Sequence, residues 1–168
     1  MTGIDFVVVT GMSGAGKSAA SRCLEDLGFF CIDNLPVALI PKVAELCAQS
    51  EKRIERVALV VDAREGSFLD GLFEILEDLR RDGHLVRMVF LDSSDEVLVR
   101  RFSESRRPHP LAPGGSAVAG IRIERGRLAH LKAKTSPRFE GVQYTVSENP
   151  LTILNLVDFL YVRVYYLG

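Results

Sequence analysis

Gly11-Met12-Ser13-Gly14-Ala15-Gly16-Lys17-Ser18 is the stretch on which the reading of this chain turns. Its spacing, G-x-x-x-x-G-K-S, is that of the Walker A phosphate loop. The apolar run Phe6-Val7-Val8-Val9 precedes it and reads as a buried strand, and a helical pattern from Ser18 to Leu27 follows. Strand before and helix after is the context that this motif requires. Glycines let the backbone curl until successive N–H groups converge on phosphate oxygens. The helix start adds unpaired N–H groups and the positive end of its dipole. Lys17 is then placed to reach the β- and γ-phosphates, and the Ser18 hydroxyl to ligate Mg²⁺. The pattern predicts a site for a nucleoside triphosphate, ATP or GTP, with Mg²⁺. A glycine-rich turn without a ligand is the plainer alternative.

Working outward, apolar runs alternate with helical patterns along the whole chain. Phe29 to Ile32 reads as a second strand ending at Asp33, and Arg56 to Val61 as a third ending at Asp62. Phe68 to Arg81 carries an apolar stripe at helical spacing and stops at Asp82-Gly83. Leu85 to Leu91 is a fourth strand, after which Ser94 caps a helix to about Ser105. Arg107 to Ala119 is rich in proline, glycine and serine and reads as a loop. A helix to Lys132, a strand over Val142 to Val146 and a last helix from Pro150 complete the pattern. Strands apolar on both faces that alternate with helices predict an α/β fold: a parallel sheet of about five strands with helices on both faces. The C-terminal strand ends would share one rim with the phosphate loop.

Composition narrows the class. The 168 residues suffice for one domain, 1–168, with a substantial core. No apolar stretch approaches the ~20 residues of a membrane span, and no charged segment precedes the first apolar run as in a signal peptide. Cys23, Cys31 and Cys47 show no metal-binding spacing and read as reduced thiols of a cytoplasmic protein. A net charge of −1 gives no global attraction to nucleic acid. An oligomer is compatible with all of this.

Several polar residues could carry chemistry on the rim. Asp33, if its strand neighbours the first, lies beside the loop, where a carboxylate can orient an acceptor hydroxyl or a water. It could equally make a turn before Pro36. Asp62 has the Walker B arrangement, a strand-end carboxylate able to hold Mg²⁺, or it ends a strand in an ordinary loop. Arg64 could meet phosphate. Asp92, within Asp92-Ser93-Ser94-Asp95, reads as a cap for the following helix. Arg100, Arg101, Arg106 and Arg107 form a basic cluster leading into the 107–119 loop, as in a lid that closes arginines over phosphates. The alternative is a set of cations opposing a helix dipole. His109, between Pro108 and Pro110, reads as a structural or phosphate contact, His84 as a turn residue and His130 as surface. Arg122, Arg125, Arg127, Lys132, Lys134 and Arg138 make a solvated basic face or an RNA footprint.

Four stretches together resemble the RapZ/YvcJ family of bacterial nucleotide-binding proteins. They are GMSGAGKS, LEDLGFFCIDNLP from Leu24 to Pro36, VDARE from Val61 to Glu65, and RRFSESRRPHPL from Arg100 to Leu111. The resemblance implies ATP at Gly11 to Ser18, GTP at Asp62-Ala63-Arg64-Glu65, and slow NTP hydrolysis. One branch of the family serves as an adapter that presents a small RNA to a nuclease. Family members carry asparagine where Glu65 stands, and an Asp-Thr-Ser run where this chain reads Thr145-Val146-Ser147. They also continue into a second domain, associated with RNA or protein partners, so 1–168 is expected to be the N-terminal nucleotide-binding domain alone. Three classes stand: a regulatory NTPase domain, a small-molecule kinase with Asp33 as acceptor base, and a non-catalytic RNA adapter module.

Overall fold

The computed structural model describes residues 3–50, 54–62, 71–138 and 142–145, with side chains as far as residue 133. Strand β1 (Asp5–Gly11) is the axis of the molecule. Phe6, Val7, Val8 and Val9 are all fully buried. A strand with no polar face has to be covered on both sides, which is why it sits mid-sheet. Its neighbours are β3 (Arg56–Val60) and β4 (Leu85–Asp92), both parallel, with Val8 opposite Leu59 on one side and Met88 on the other. The edges are β2 (Phe30–Ile32), beside β3, and β5 (Val142–Thr145), beside β4. The sheet order is therefore β2-β3-β1-β4-β5, all parallel, as the alternation of apolar runs predicts.

Helices α1 (Lys17–Asp26), α2 (Ile40–Gln49), α3 (Leu72–Arg81), α4 (Asp95–Ser105) and α5 (Ala117–Arg138) connect these strands. Helix α1 ends when Phe29 N–H reaches back to Leu24 and Gly28 N–H to Glu25; α3 ends when His84 N–H reaches Leu79 and Gly83 N–H reaches Arg80. Both are Schellman closures, and each reverses the chain into the next strand. Helix α4 starts as its sequence predicts, with the Ser94 hydroxyl accepting from Val97 N–H. Leu24, Ile40, Leu72, Leu76 and Leu98 are buried against the sheet.

The structure revises several expectations. β3 lies between β1 and β2, so Asp33 stands one strand away from the phosphate loop and Asp62 directly beside it. Parallel neighbours are joined through helices, so adjacency in sequence does not set adjacency in the sheet. Asp92 does not cap α4, because Ser94 does. His84 does more than turn the chain: its Nδ1 accepts from Ile4 N–H and its ring meets Phe6 edge-on. Helix α5 begins at Ala117, which shortens the proposed lid loop to residues 107–116. The expected start of α3 at 68–70 and the helix from Pro150 lie outside the described residues. Among the described residues, no helix is long and apolar enough to cross a membrane.

Candidate functional site

The phosphate loop leaves β1 through a tight bend. Gly11 has φ 135°, and a Cβ there would lie 2.0 Å from the Leu91 carbonyl oxygen of β4. No side chain fits between the two backbones, so the loop is pinned to β4, and Met12 N–H donates to that same carbonyl. Gly16 caps α1 in the left-handed region at φ 107°. Ala19 and Ala20 N–H groups close onto its carbonyl. The amides of Gly14, Gly16 and Ser18 find no intramolecular acceptor among the described residues. Donors left open at a helix N-terminus form an anion-binding concavity.

Lys17 folds back over the loop and donates to the carbonyls of Gly11 (3.0 Å) and Met12 (3.1 Å). Its ammonium is thus held within the loop that it is expected to serve. Ser13, Gly14, Gly16, Lys17 and the exposed Ser18 form one wall of an open cleft of about 810 Å³. Arg101, Phe102 and Arg107 stand on the other wall. Arg101 already touches the loop, donating from Nη1 to the Gly14 carbonyl at 2.8 Å. Arg106 is placed differently: it ends α4 in the left-handed region, φ 51°, and does not line the cleft. Arg100 sits on the outer face of α4, 3.8 Å from Glu104.

Of the strand-end acids, Asp62 is half-buried two residues past the end of β3, and Asp33 is exposed just past the end of β2. Ala63, Arg64 and Glu65 lie outside the described residues. Asp92 is buried and accepts from Lys132 Nζ at 2.7 Å and from Arg125 Nη1 at 3.0 Å. Burial pushes its carboxyl up, but those two cations and the Ser93 amide outweigh it and hold the group below the ordinary carboxylate range. Burial works against the Arg125 charge, yet Asp95 and Asp92 raise its pKa further. Two members of the expected basic face, Arg125 and Lys132, therefore turn inward, while Arg122 and Arg127 remain exposed, as does His130; the side chains of Lys134 and Arg138 lie outside the described residues. Burial raises all three cysteine thiols, which argues against a reactive thiolate.

One functional candidate escaped the sequence reading. Glu124, on α5, is 1% exposed and accepts from Ser13 twice, from the amide at 3.0 Å and from the hydroxyl at 2.7 Å. His109 Nε2 lies 3.2 Å from the same carboxylate, and Leu111 N–H donates to His109 Nδ1. The His109 ring is buried as a structural contact and does not line the cleft. Nothing in an isolated helix pattern distinguishes Glu124 from the exposed polar residues around it. A carboxylate among six basic positions was the available signal.

Residues 4–147 match a family model described as the RapZ-like N-terminal domain. A protein of Clostridium botulinum called a nucleotide-binding protein is 58% identical over 127 residues, 76% of this chain and 43% of that one. A nucleotide-binding protein of Desulforudis audaxviator is 50% identical over 156 residues, 93% of this chain and 53% of its own length. The chain thus spans about half the length of these curated relatives. Among solved structures, shikimate kinase from Acinetobacter baumannii, in complex with shikimate, superposes with a TM-score of 0.62 at 14% identity. That alignment covers 97% of this chain and 94% of the kinase. Deoxyadenosine kinase from M. mycoides with bound dCTP gives 0.57 at 14% identity, covering 93% and 98%. At such identities the likeness concerns the fold alone.

Proposed function

We propose that this chain, which belongs to the RapZ-like N-terminal domain family, binds a nucleoside triphosphate in the loop cleft and slowly hydrolyses it. One observation carries the reading: the open amides of Gly14, Gly16 and Ser18 face a cleft whose opposite wall is cationic, through Arg101 and Arg107. Phosphate oxygens would accept from those amides, as from any such nest. Lys17 would exchange two neutral carbonyls for the β- and γ-phosphates, a stronger charge-assisted pairing. Arg107 would close over the γ-phosphate from the lid. The curated relatives named nucleotide-binding proteins support the binding of a nucleotide.

The donors available suit Mg²⁺. Ser18 presents an exposed hydroxyl at the first turn of α1, and Asp62 follows β3, the strand beside β1; both are hard oxygen ligands. No cluster of three or more metal-ligating side chains occurs among the described residues. Mg²⁺ at a nucleotide site is ordinarily held by one or two side chains together with phosphates and water. When bound, Mg²⁺ would neutralise charge on the β- and γ-oxygens. Asp33, exposed on the same rim but one strand further from the loop, would then orient the attacking group.

A second reading makes that attacking group the hydroxyl of a small molecule, so that the chain is a kinase. The exposed position of Asp33 on the same rim favours it. ATP and GTP are both admitted as substrate, since Glu65 replaces the asparagine of the Asp62–Glu65 stretch that the family resemblance connects with GTP. A regulatory or adapter role toward RNA or protein, and a cytoplasmic setting, would belong to the longer protein that the relatives represent.

The test is the fate of the γ-phosphate. γ-Labelled ATP or GTP is incubated with the protein and Mg²⁺, with and without a small-molecule extract, beside Lys17→Ala. Label released to water by the wild type alone supports hydrolysis. Label captured by an extract component supports the kinase. Absence of both turnover and nucleotide binding overturns the site. Lys17→Ala is expected to weaken binding about 100-fold, the worth of roughly two charge-assisted hydrogen bonds.

A further inference from the structure

Ser13 departs from the role that its motif assigns to it. Its amide does not point into the cleft with its neighbours, because Glu124 takes it at 3.0 Å. A buried carboxylate beside a phosphate site is unfavourable unless donors satisfy it. Here three do: the Ser13 amide, the Ser13 hydroxyl and His109 Nε2. His109 Nδ1 accepts from Leu111 N–H, so the ring proton sits on Nε2 and donates to Glu124.

The His109 end of this network has no slack. A Cβ on Gly120 would lie 2.3 Å from His109 Nδ1, so α5 packs its backbone directly against the ring. Phe102 of α4 covers the ring at 4.8 Å between centroids, and its edge reaches the space beside Gly14. Pro108 and Pro110 fix the backbone around His109. Arg107, which lines the cleft, is two residues away. A displacement of Ser13 is therefore passed through one carboxylate to the root of the lid.

We propose that Glu124 is a positioning residue: the Ser13–Glu124–His109 network couples occupancy of the phosphate loop to placement of Arg107 and the 107–116 segment over the cleft. The proposal rests on nucleotide occupying the loop. Phosphates drawn onto the amides of Gly14, Gly16 and Ser18 reset Ser13, and Glu124 resets His109 with it. The same contacts hand the change to α5.

The test reads trypsin cleavage after Arg106, followed by mass spectrometry on the full chain, with and without a non-hydrolysable ATP or GTP analogue and Mg²⁺. Arg107 precedes proline, so the Arg106–Arg107 bond reports on the lid. Calorimetry measures binding in parallel. In the wild type, saturating nucleotide is expected to slow this cut about 5-fold or more, the lower range of coupling between two sites. Glu124→Leu keeps much of the size and removes both oxygens that accept from Ser13 and His109. At saturation its protection is expected to fall below about 2-fold. His109→Leu should lose the effect, and His109→Gln, which can still donate, should retain most of it.

Wild-type-like protection in nucleotide-saturated Glu124→Leu overturns the proposal. So does a wild-type lid that ignores nucleotide that calorimetry shows to be bound. A wild type that binds no nucleotide instead defeats the binding reading beneath it. If Glu124→Leu does not fold, the His109 pair decides by the same criterion. Hydrogen exchange of the wild type adds a reading that needs no variant: residues 120–124 must gain protection together with the lid, and lid protection alone overturns the coupling.

Discussion

The two ends of the sheet carry buried charge in opposite ways. At the N-terminal end of the strands, Asp5 on β1 pairs with Arg87 on β4, both largely out of water. The pairing is incomplete, since Asp5 Oδ1 and Arg87 Nε have no hydrogen-bond partner among the described residues. At the C-terminal end, both oxygens of Glu124 are occupied, and Asp92 gathers Lys132, Arg125 and the Ser93 amide. A half-satisfied buried pair is costly to break yet easy to replace by apolar groups. A satisfied network that touches a loop fixes geometry instead. One end holds the sheet; the other holds a shape.

The largest expected effect tests the base. Asp5→Leu leaves Arg87 buried without its partner and should cost about 3 kcal/mol in urea unfolding. Adding Arg87→Met should return stability to within about 1 kcal/mol of the wild type or above it. Neither change should move nucleotide affinity. A double variant no more stable than the single one would make the base as specific as the rim and erase the contrast.

At the rim, acid is the probe. Lys132 and Arg125 hold the Asp92 carboxyl below its ordinary value of 3.8. A carboxyl held low in the fold stabilises it above that ordinary value, and the contribution is lost as pH falls through the lower, folded-state value. Asp92→Asn removes this contribution. The variant should be less stable than the wild type at neutral pH, and the gap should begin to close below about pH 3.8 and vanish below the lower, folded-state value. Stability measured across pH 2–7 checks it. A gap that stays constant into acid would mean that packing, and not charge, sets the value of Asp92.

These contrasts follow how far each interaction reaches along the chain. The phosphate loop, β1, the Ser94 cap and the glycine stop after α3 were legible because each is written in consecutive residues. Strand order was not, since the short strand Phe30–Ile32 carries no mark that it pairs with β3 and not β1. Glu124 and Ser13 are 111 residues apart in sequence, and Arg125 and Lys132 read as solvated cations until β4 brings Asp92 beneath them. A helix pattern tells which positions share a face. It does not tell which carboxylate is aimed at a loop.

The smallest expected effect separates two adjacent arginines that the sequence could not tell apart. Both are exposed, but Arg107 lines the cleft, whereas Arg106 ends α4 with φ 51°. Arg107→Ala should weaken nucleotide binding about 3- to 10-fold, the worth of one solvent-exposed charge-assisted contact. Arg106→Gly should leave affinity within about 2-fold. It should hold or slightly raise stability, because a left-handed residue with a side chain is strained by about 1 kcal/mol. Calorimetric titration and thermal melts of both variants read the two quantities. If the two substitutions weaken binding equally, the cleft draws on the charge of the whole α4 terminus, and the fixed geometry attributed to the rim would extend no further than Glu124 and His109.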